Sequence, residues 1–256
     1  MLRIIISPAK KMRVRTDEIP WGELPVFLDR AGILKGYMQS LSFGKLQSLL
    51  SCNHQIAQLN YDRYQGMNLK GNLTPALLSY EGIQYQYMSP GVFTERQWAY
   101  VQEHLRILSG FYGILKPLDG VTPYRLEMQA KFSDAPWKNL YEFWGEDIYR
   151  ELTKKVHLVV NLASKEYSRA VEKYLKEDIQ YVTCVFGELT DGRVKTKGTL
   201  AKMARGEMVR WMADEGVSSR EELEQFRGLG YCFAPEYSHG STLTFLLQRP
   251  ESGIPR

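Results

Sequence analysis

The sequence predicts a mixed α/β fold: a single domain, spanning residues 1–256, in which one mixed β-sheet is wrapped by helices. Three observations favour this class. Short strand patterns are interspersed with amphipathic helical patterns, 44% of the residues are hydrophobic, and no linker or repeat divides the chain. The elements follow one another in irregular order, which argues against a regular doubly wound sheet or an eight-fold barrel.

The strand predictions begin with two buried runs. Leu2–Ile6 contains three consecutive isoleucines, and Leu158–Leu162 is Val-rich without polar alternation, as expected of strands covered on both faces. Asp191-Gly192 is a typical hairpin turn. The further predicted strands are residues 181–189, 193–196, 230–234 and 242–247.

Helical periodicity predicts six helices, over residues 24–41, 44–60, 94–109, 140–154, 165–176 and 199–215. The third is the best defined, because Thr94 and Gln97 form a capping box. In the sixth, basic residues that include Lys202 and Arg205 lie opposite the apolar side. That helix is therefore expected to carry a basic outer face.

The third predicted helix ends in a turn, Ser109 to Gly113, that contains both Gly110 and Gly113. Two glycines three residues apart permit a tight turn that presents backbone N–H groups. One interpretation is a helix-hairpin-helix-like element that grips a DNA phosphate, and the other is a plain helix C-cap. Pro117 weakens the first interpretation, because it is a poor start for a second helix.

Positive charge is concentrated in two segments. Residues 1–15 hold five basic and no acidic side chains, and residues 195–210 hold five basic and one acidic, so the other residues are acidic on balance. This distribution suggests an anionic ligand, either nucleic acid or a phosphorylated metabolite. The alternative for each segment is ordinary solvated surface charge.

Candidate ligand-binding residues follow the two buried strands. Lys10 comes shortly after the first, and Asn161, Ser164 and Lys165 lie at the end of the other and the start of a helix. Anionic ligands collect at the carboxyl ends of parallel strands, so these side chains share one rim if the strands run the same way. Alternatively, the lysines are simply exposed and Ser164 is only a helix N-cap.

Arg125 and Glu127 lie in a polar loop. Residues two apart cannot face each other on a helix, so we expect them to meet partners from elsewhere, with a buried structural ion pair as the competing interpretation.

The sequence contains no dinucleotide fingerprint, Walker loop, nucleophile elbow or paired metal-ligand spacing, and we expect no cofactor and no metal. Three unpaired cysteines indicate reduced thiols. The apolar N-terminal run is too short for a signal peptide or a membrane span, so we expect a cytoplasmic protein that acts away from membranes. The sequence does not determine the oligomeric state, for which a monomer is the default expectation.

Several motifs together resemble the bacterial YaaA peroxide-stress family over nearly the whole chain. They are, in order, Ser7-Pro8-Ala9-Lys10, the long run from Leu105 to Asp119, Pro123-Tyr124-Arg125-Leu126-Glu127-Met128, Leu140-Tyr141-Glu142-Phe143-Trp144, Asn161-Leu162-Ala163-Ser164 and Ala204-Arg205-Gly206.

The resemblance implies a family-specific α/β fold, a basic cleft, a helix-hairpin-helix-like element, DNA binding, and protection against peroxide damage linked to intracellular iron. With the charge argument, it extends the candidate DNA- or anion-binding residues to Lys10, Arg106, Ser109, Gly110, Gly113, Lys116, Arg125, Asn161, Ser164, Lys165, Lys202 and Arg205. Lys116 stands where the family often has Arg, which keeps the charge but loses bidentate geometry.

Two classes of function stay open. One is a non-enzymatic protector that binds duplex or distorted DNA without base specificity. The other is an enzyme acting on a phosphorylated or nucleotide-like substrate, with Arg125 and Glu127 as an anion clamp and a general acid/base.

Overall fold

The computed structural model describes residues 1–15 and 19–248. Its strands are β1 (Leu2–Ile6), β2 (Lys11–Met12), β3 (Thr74–Pro75), β4 (Tyr80–Glu81), β5 (Leu105–Ser109), β6 (Gly113–Leu115), β7 (Gly120–Val121), β8 (Leu158–Leu162), β9 (Gln180–Thr190), β10 (Arg193–Lys195), β11 (Tyr231–Phe233) and β12 (Thr242–Leu247). Its α-helices are α1 (Leu28–Ser40), α2 (Phe43–Leu50), α3 (His54–Gln65), α4 (Ala76–Ser79), α5 (Ile83–Met88), α6 (Glu95–His104), α7 (Leu140–Trp144), α8 (Asp147–Leu152), α9 (Lys165–Glu172), α10 (Gly198–Glu215) and α11 (Arg220–Leu223).

The main sheet has eight strands, and the predicted mixed α/β class is confirmed. Seven strands follow the order β11-β12-β9-β8-β1-β5-β6, and β10 pairs with β9. The five strands from β12 to β5 in this order run parallel, whereas β6, β10 and β11 are antiparallel to their neighbours. Two further sheets, β2-β4 and β3-β7, have two strands each.

The first strand, β1, lies at the centre of this sheet. It pairs in parallel with β8 through Leu2 and Leu158 and with β5 through Ile4 and Leu105. Its three isoleucines are completely buried, which confirms the predicted strand covered on both faces. The carboxyl ends of β1 and β8 consequently open at the same edge of the sheet.

Several helix predictions are confirmed in position but wrong in extent. The predicted helix 44–60 is two helices, α2 and α3, because Ser51 adopts a left-handed φ of 46° and the Asn53 side chain caps a new start. The predicted helix 140–154 divides into α7 and α8 at Gly145, which has a φ of 54°. In addition, α1 and α9 are shorter than predicted, whereas α10 matches its prediction closely.

The predicted helix 94–109 is correct only in its first half. The capping box between Thr94 and Gln97 is present, but the helix ends at His104 and the chain continues directly as β5. All five residues of β5 are buried, so their apolar pattern has no period that separates strand from helix. The predicted hairpin 181–196 and the pair of β11 with β12 are confirmed.

No described helix combines the length and the apolar character needed to cross a membrane.

Candidate functional site

A cavity of about 510 Å³, which we call the central cavity, opens where β1 and β8 end. Five segments line it: residues 7–11 after β1, residues 81–85 from β4 into α5, the loop 124–127, the start of α9, and two residues of α10. Basic segments that are far apart in the sequence therefore meet at one site, at the strand ends where an anionic ligand was expected.

Two serines join the strand ends beneath this cavity. The backbone N–H of Ser164 donates to Ser7 Oγ at 2.8 Å, and Ser7 Oγ donates to Ser164 Oγ at 3.2 Å. The predicted shared rim is therefore confirmed for Lys10 and Ser164, which both line the cavity. Ser164 occupies the N-cap position of α9 but makes no side-chain capping bond. Its hydroxyl instead faces Ser7 across the two strands.

An ion cluster forms one wall of the cavity. Arg125 Nη2 lies 3.0 Å from Glu127 Oε1, and Lys10 Nζ lies 3.3 Å from the same oxygen. Arg125 and Glu127 pair with each other, as the competing interpretation of a buried ion pair held, because in the non-helical loop 122–127 side chains two residues apart can turn to the same side. Glu127 also meets the expected partner from elsewhere, which is Lys10. Each of these two side chains is only 12% exposed, so the pair is largely shielded from water.

A second carboxylate, Glu166, faces this cluster from the first turn of α9. Burial raises its pKa, the nearby charge of Glu127 adds to the rise, and Lys10 opposes it. The backbone N–H of Gln129 donates to Glu166 Oε1 at 3.3 Å. The cavity thus holds two carboxylates in unlike environments, one paired with cations and one shifted toward its protonated form.

The α10 side of the cavity depends on close helix packing. A Cβ at Gly206 would lie 2.1 Å from the Gln84 carbonyl oxygen, so only glycine lets α10 rest on α5. Lys202 is exposed at the rim, as predicted, but Arg205 is largely buried rather than on an outer face. Burial lowers the pKa of Arg205, and its Nε has no hydrogen-bond partner among the described residues.

Two basic grooves adjoin the central cavity. The first, the β2 groove, is about 550 Å³ and contains Lys11, Arg13 and Arg15; it shares Lys11 and the 81–83 segment with the central cavity. The second, the α9 groove, is about 460 Å³ and shares Glu166 with the central cavity. Its basic residues are Lys131, Lys138, Lys165 and Arg169. Positive charge therefore continues from the central cavity into two adjoining grooves.

Some predicted site residues lie elsewhere. Arg106 and Lys116 line a separate cavity of about 180 Å³ with Asp119, and Lys116 pairs with Glu23 at 2.8 Å. Lys165 belongs to the α9 groove, where it pairs with Glu172.

Asn161 is buried at the end of β8. Its Oδ1 accepts the Ala163 N–H at 2.9 Å, and its Nδ2 donates to Thr183 Oγ1 at 3.2 Å. Asn161 therefore shapes the loop that carries Ser164 and does not itself line the central cavity.

The turn from Ser109 to Gly113 does not join two helices. It connects β5 to β6 in a buried β-hairpin, so the helix-hairpin-helix interpretation of this segment was wrong. The N–H groups of Phe111 and Tyr112 donate to Ser109 Oγ at 3.1 and 2.8 Å. Gly110 and Gly113 are buried as well, so the turn is not positioned to bind a duplex phosphate.

Sequence reasoning missed part of the cavity wall. Gln84 and Tyr85 lie on the six-residue helix α5, which is too short to leave a periodic pattern, and Glu166 and Tyr167 follow Lys165 on α9. The available sequence signal was Gly206, because a glycine within a helix indicates close packing, which here is the packing of α10 against α5.

The three cysteines are free thiols, as expected from their number. Burial raises the pKa of Cys184 to about 12 and also raises that of Cys52, so neither favours the reactive thiolate. Within the described ranges, no three or more His, Cys, Asp and Glu side chains are grouped so as to hold a metal ion.

The model of the peroxide stress protein YaaA family matches residues 2–237. The chain belongs to the YaaA family. UPF0246 proteins of Desulfitobacterium hafniense and Lachnoclostridium phytofermentans are 53% and 52% identical to it over 245 residues, which cover 96% of this chain and 98% and 96% of the respective relatives. A UPF0246 protein of Pediococcus pentosaceus is 50% identical over the same length. The YaaA resemblance that the motifs indicated is therefore confirmed.

Proposed function

We propose that this chain protects the cell during peroxide stress by binding DNA without base specificity, and so limits iron-dependent oxidative damage to it. The membership in a peroxide stress family supports the physiological setting. The DNA-binding part is supported by one observation above all: the central cavity and the two grooves are lined by eleven basic and three acidic side chains.

This surface is far more basic than the chain as a whole, which has 33 basic and 29 acidic residues. A DNA strand carries a phosphate at each nucleotide, and neutralising phosphates with Lys and Arg releases condensed counterions. Because Lys and Arg contacts to phosphate carry no sequence information, binding through this surface is independent of base sequence.

Fluorescence anisotropy with two labelled duplexes of unrelated sequence, titrated between 50 and 200 mM salt, tests the proposal. We expect equal affinity for both duplexes and a steep loss of affinity with salt, with a slope of about 0.9 for each phosphate neutralised. Affinity that is insensitive to salt, or that differs strongly between the two sequences, would contradict the proposal.

Protection itself is measurable in a plasmid-nicking assay with ferrous iron and hydrogen peroxide. We expect the wild-type protein to slow nicking at concentrations that saturate the plasmid. The double variant Lys10→Ala with Lys202→Ala, which removes two rim charges, should protect less at equal concentration. Equal protection by both proteins would show that protection does not depend on DNA binding through these two lysines.

A second candidate function has its own support in the two carboxylates of the central cavity. Glu166, whose pKa is raised by burial, can hold a proton, while Glu127 forms ion pairs with Lys10 and Arg125. Carboxylates in unlike environments are typical of general acid and base pairs, so an enzyme acting on a nucleotide-like substrate fits the same cavity. Chromatography of nucleotides incubated with wild type and with Glu166→Gln tests this candidate. Turnover by wild type that the variant lacks would support it.

A further inference from the structure

The size of the central cavity sets what can enter it. Its volume of about 510 Å³ lies in the ordinary range for a small organic ligand. A DNA duplex is too wide to enter such a space, because the duplex is wider than its own major groove and that groove is already about 12 Å across. If DNA lies on this surface, only a single nucleotide turned out of the strand fits inside the cavity.

The cavity walls have the chemistry of a base-binding site. Tyr85, Tyr124 and Tyr167 line it together with Ile83 and Leu126. The Tyr85 hydroxyl donates to the Ser7 carbonyl at 3.0 Å, which fixes that ring to the loop after β1. These rings are almost completely buried, so a base can stack only on the part of a ring that borders the cavity, and such stacking does not depend on the identity of the base.

Two buried donors at this cavity lack partners. Gln84 is 7% exposed and its Nε2 has no hydrogen-bond partner among the described residues, and the same holds for Arg205 Nε. Buried donors without partners are rare and costly, and a missing ligand is one physical reason for them. Both groups donate, so the ligand must supply acceptors, as the ring nitrogens and carbonyl oxygens of nucleobases do.

The surroundings suit the phosphates on either side of such a nucleotide. The β2 groove and the α9 groove are both basic and both adjoin the central cavity. Lys10, whose side chain is 66% exposed, stands at the mouth between the buried wall and solvent. A strand crossing the mouth therefore meets positive charge before and after the position of the inserted base.

We propose that the central cavity holds one nucleobase turned out of a DNA strand, with the flanking phosphates in the β2 groove and the α9 groove. This inference rests on the proposed DNA-binding function and specifies what that site receives. It predicts a preference for DNA that presents an unpaired base, because extrusion then costs little.

The test compares two duplexes that differ in one group. Both carry a single unpaired nucleotide, but in one of them this nucleotide is abasic. We expect wild type to bind the duplex with the base about tenfold more tightly, which corresponds to about 1.4 kcal/mol. Gln84→Leu, which removes the donor at similar volume, should reduce this ratio severalfold and leave the affinity for the abasic duplex and its salt slope unchanged. Gln58→Leu on the exposed side of α3 is the matched control and should keep the ratio.

Each other outcome is decisive. Equal affinity of wild type for both duplexes, with normal salt dependence, overturns the base pocket and leaves the DNA-binding function standing. A preference that Gln84→Leu fails to reduce also overturns it, because the base then binds elsewhere. Absence of binding to any DNA at 50 mM salt overturns the proposed function and the base pocket with it.

Discussion

The Tyr124 hydroxyl lies 2.5 Å from Ser109 Oγ and 2.8 Å from the Tyr80 hydroxyl. Because Ser109 Oγ already accepts the N–H groups of Phe111 and Tyr112, its own proton is directed to Tyr124. One wall of the central cavity is thereby held by the buried hairpin between β5 and β6. Ser109 therefore positions Tyr124 in the cavity wall but does not itself line the central cavity.

Replacing Ser109 by alanine should destabilise the protein by about 1–3 kcal/mol, because two buried N–H groups lose their acceptor. Chemical denaturation measures the change. Ser133→Ala, at an exposed position, should stay within about 0.5 kcal/mol of wild type. Equal stabilities for the two variants would show that the hairpin amides find another acceptor.

Lys202→Ala should weaken duplex binding and lower the salt slope by about one, because Lys202 stands exposed at the cavity rim. Lys70→Ala, in the turn after α3, removes the same charge at a distant exposed position and should leave the slope unchanged. Anisotropy titrations at several salt concentrations give both slopes. Identical slopes for both variants would show that Lys202 does not contact a phosphate.

Gly113→Ala should destabilise the fold far more than Gly192→Ala. Both glycines have positive φ, 75° and 71°, so both variants carry the left-handed cost of about 1–2 kcal/mol. Only at Gly113 would the new Cβ also lie 3.0 Å from the Trp144 ring, whereas Gly192 has nothing within 4 Å. Thermal melts measure the difference. We expect the DNA affinity of folded Gly113→Ala to match that of wild type. A loss of affinity in a folded variant would show that the turn from Ser109 to Gly113 contacts DNA.

Asp119 should make stability depend on pH between about 4 and 7. Burial raises its pKa to about 7, against an opposing effect of Lys116 and Arg106 and a supporting one of Glu23. In this window the folded state binds a proton that the unfolded state releases, so stability falls as pH rises. Asp119→Asn lacks the titrating group. The melting temperature of this variant minus that of wild type should therefore be larger at pH 8 than at pH 5. A difference that does not change with pH would contradict the raised pKa.

The sequence specified the strands with distinctive chemistry. Three isoleucines were sufficient to predict β1 as a strand, and the Asp191-Gly192 turn was sufficient to predict the pairing of β9 with β10. The segment Leu105–Ser109 was not predictable by pattern, because all five residues are buried and no alternation of buried and exposed positions separates a strand from a helix.

The candidate site was predictable where charge and strand ends coincide. Lys10, Ser164 and Lys202 follow from those two signals, and the structure brings them to one cavity. Gln84 could not be predicted in this way, because its burial depends on the packing of α5 against α10, which is more than 100 residues away in sequence. Burial without a partner is a property of packing, which composition and spacing do not express.

The central place of β1 in the sheet has a consequence for synthesis of the protein. Its two neighbours begin at residues 105 and 158, so the first strand made has no neighbour in this sheet until at least 105 of the 256 residues have been translated. During that time an apolar strand with both edges unpaired is exposed, which is the condition under which nascent chains aggregate. Lys10, Lys11, Arg13 and Arg15 follow it immediately. Like charges that flank an apolar strand oppose its association with other chains, so this basic segment is expected to lower the tendency of β1 to aggregate before the sheet forms.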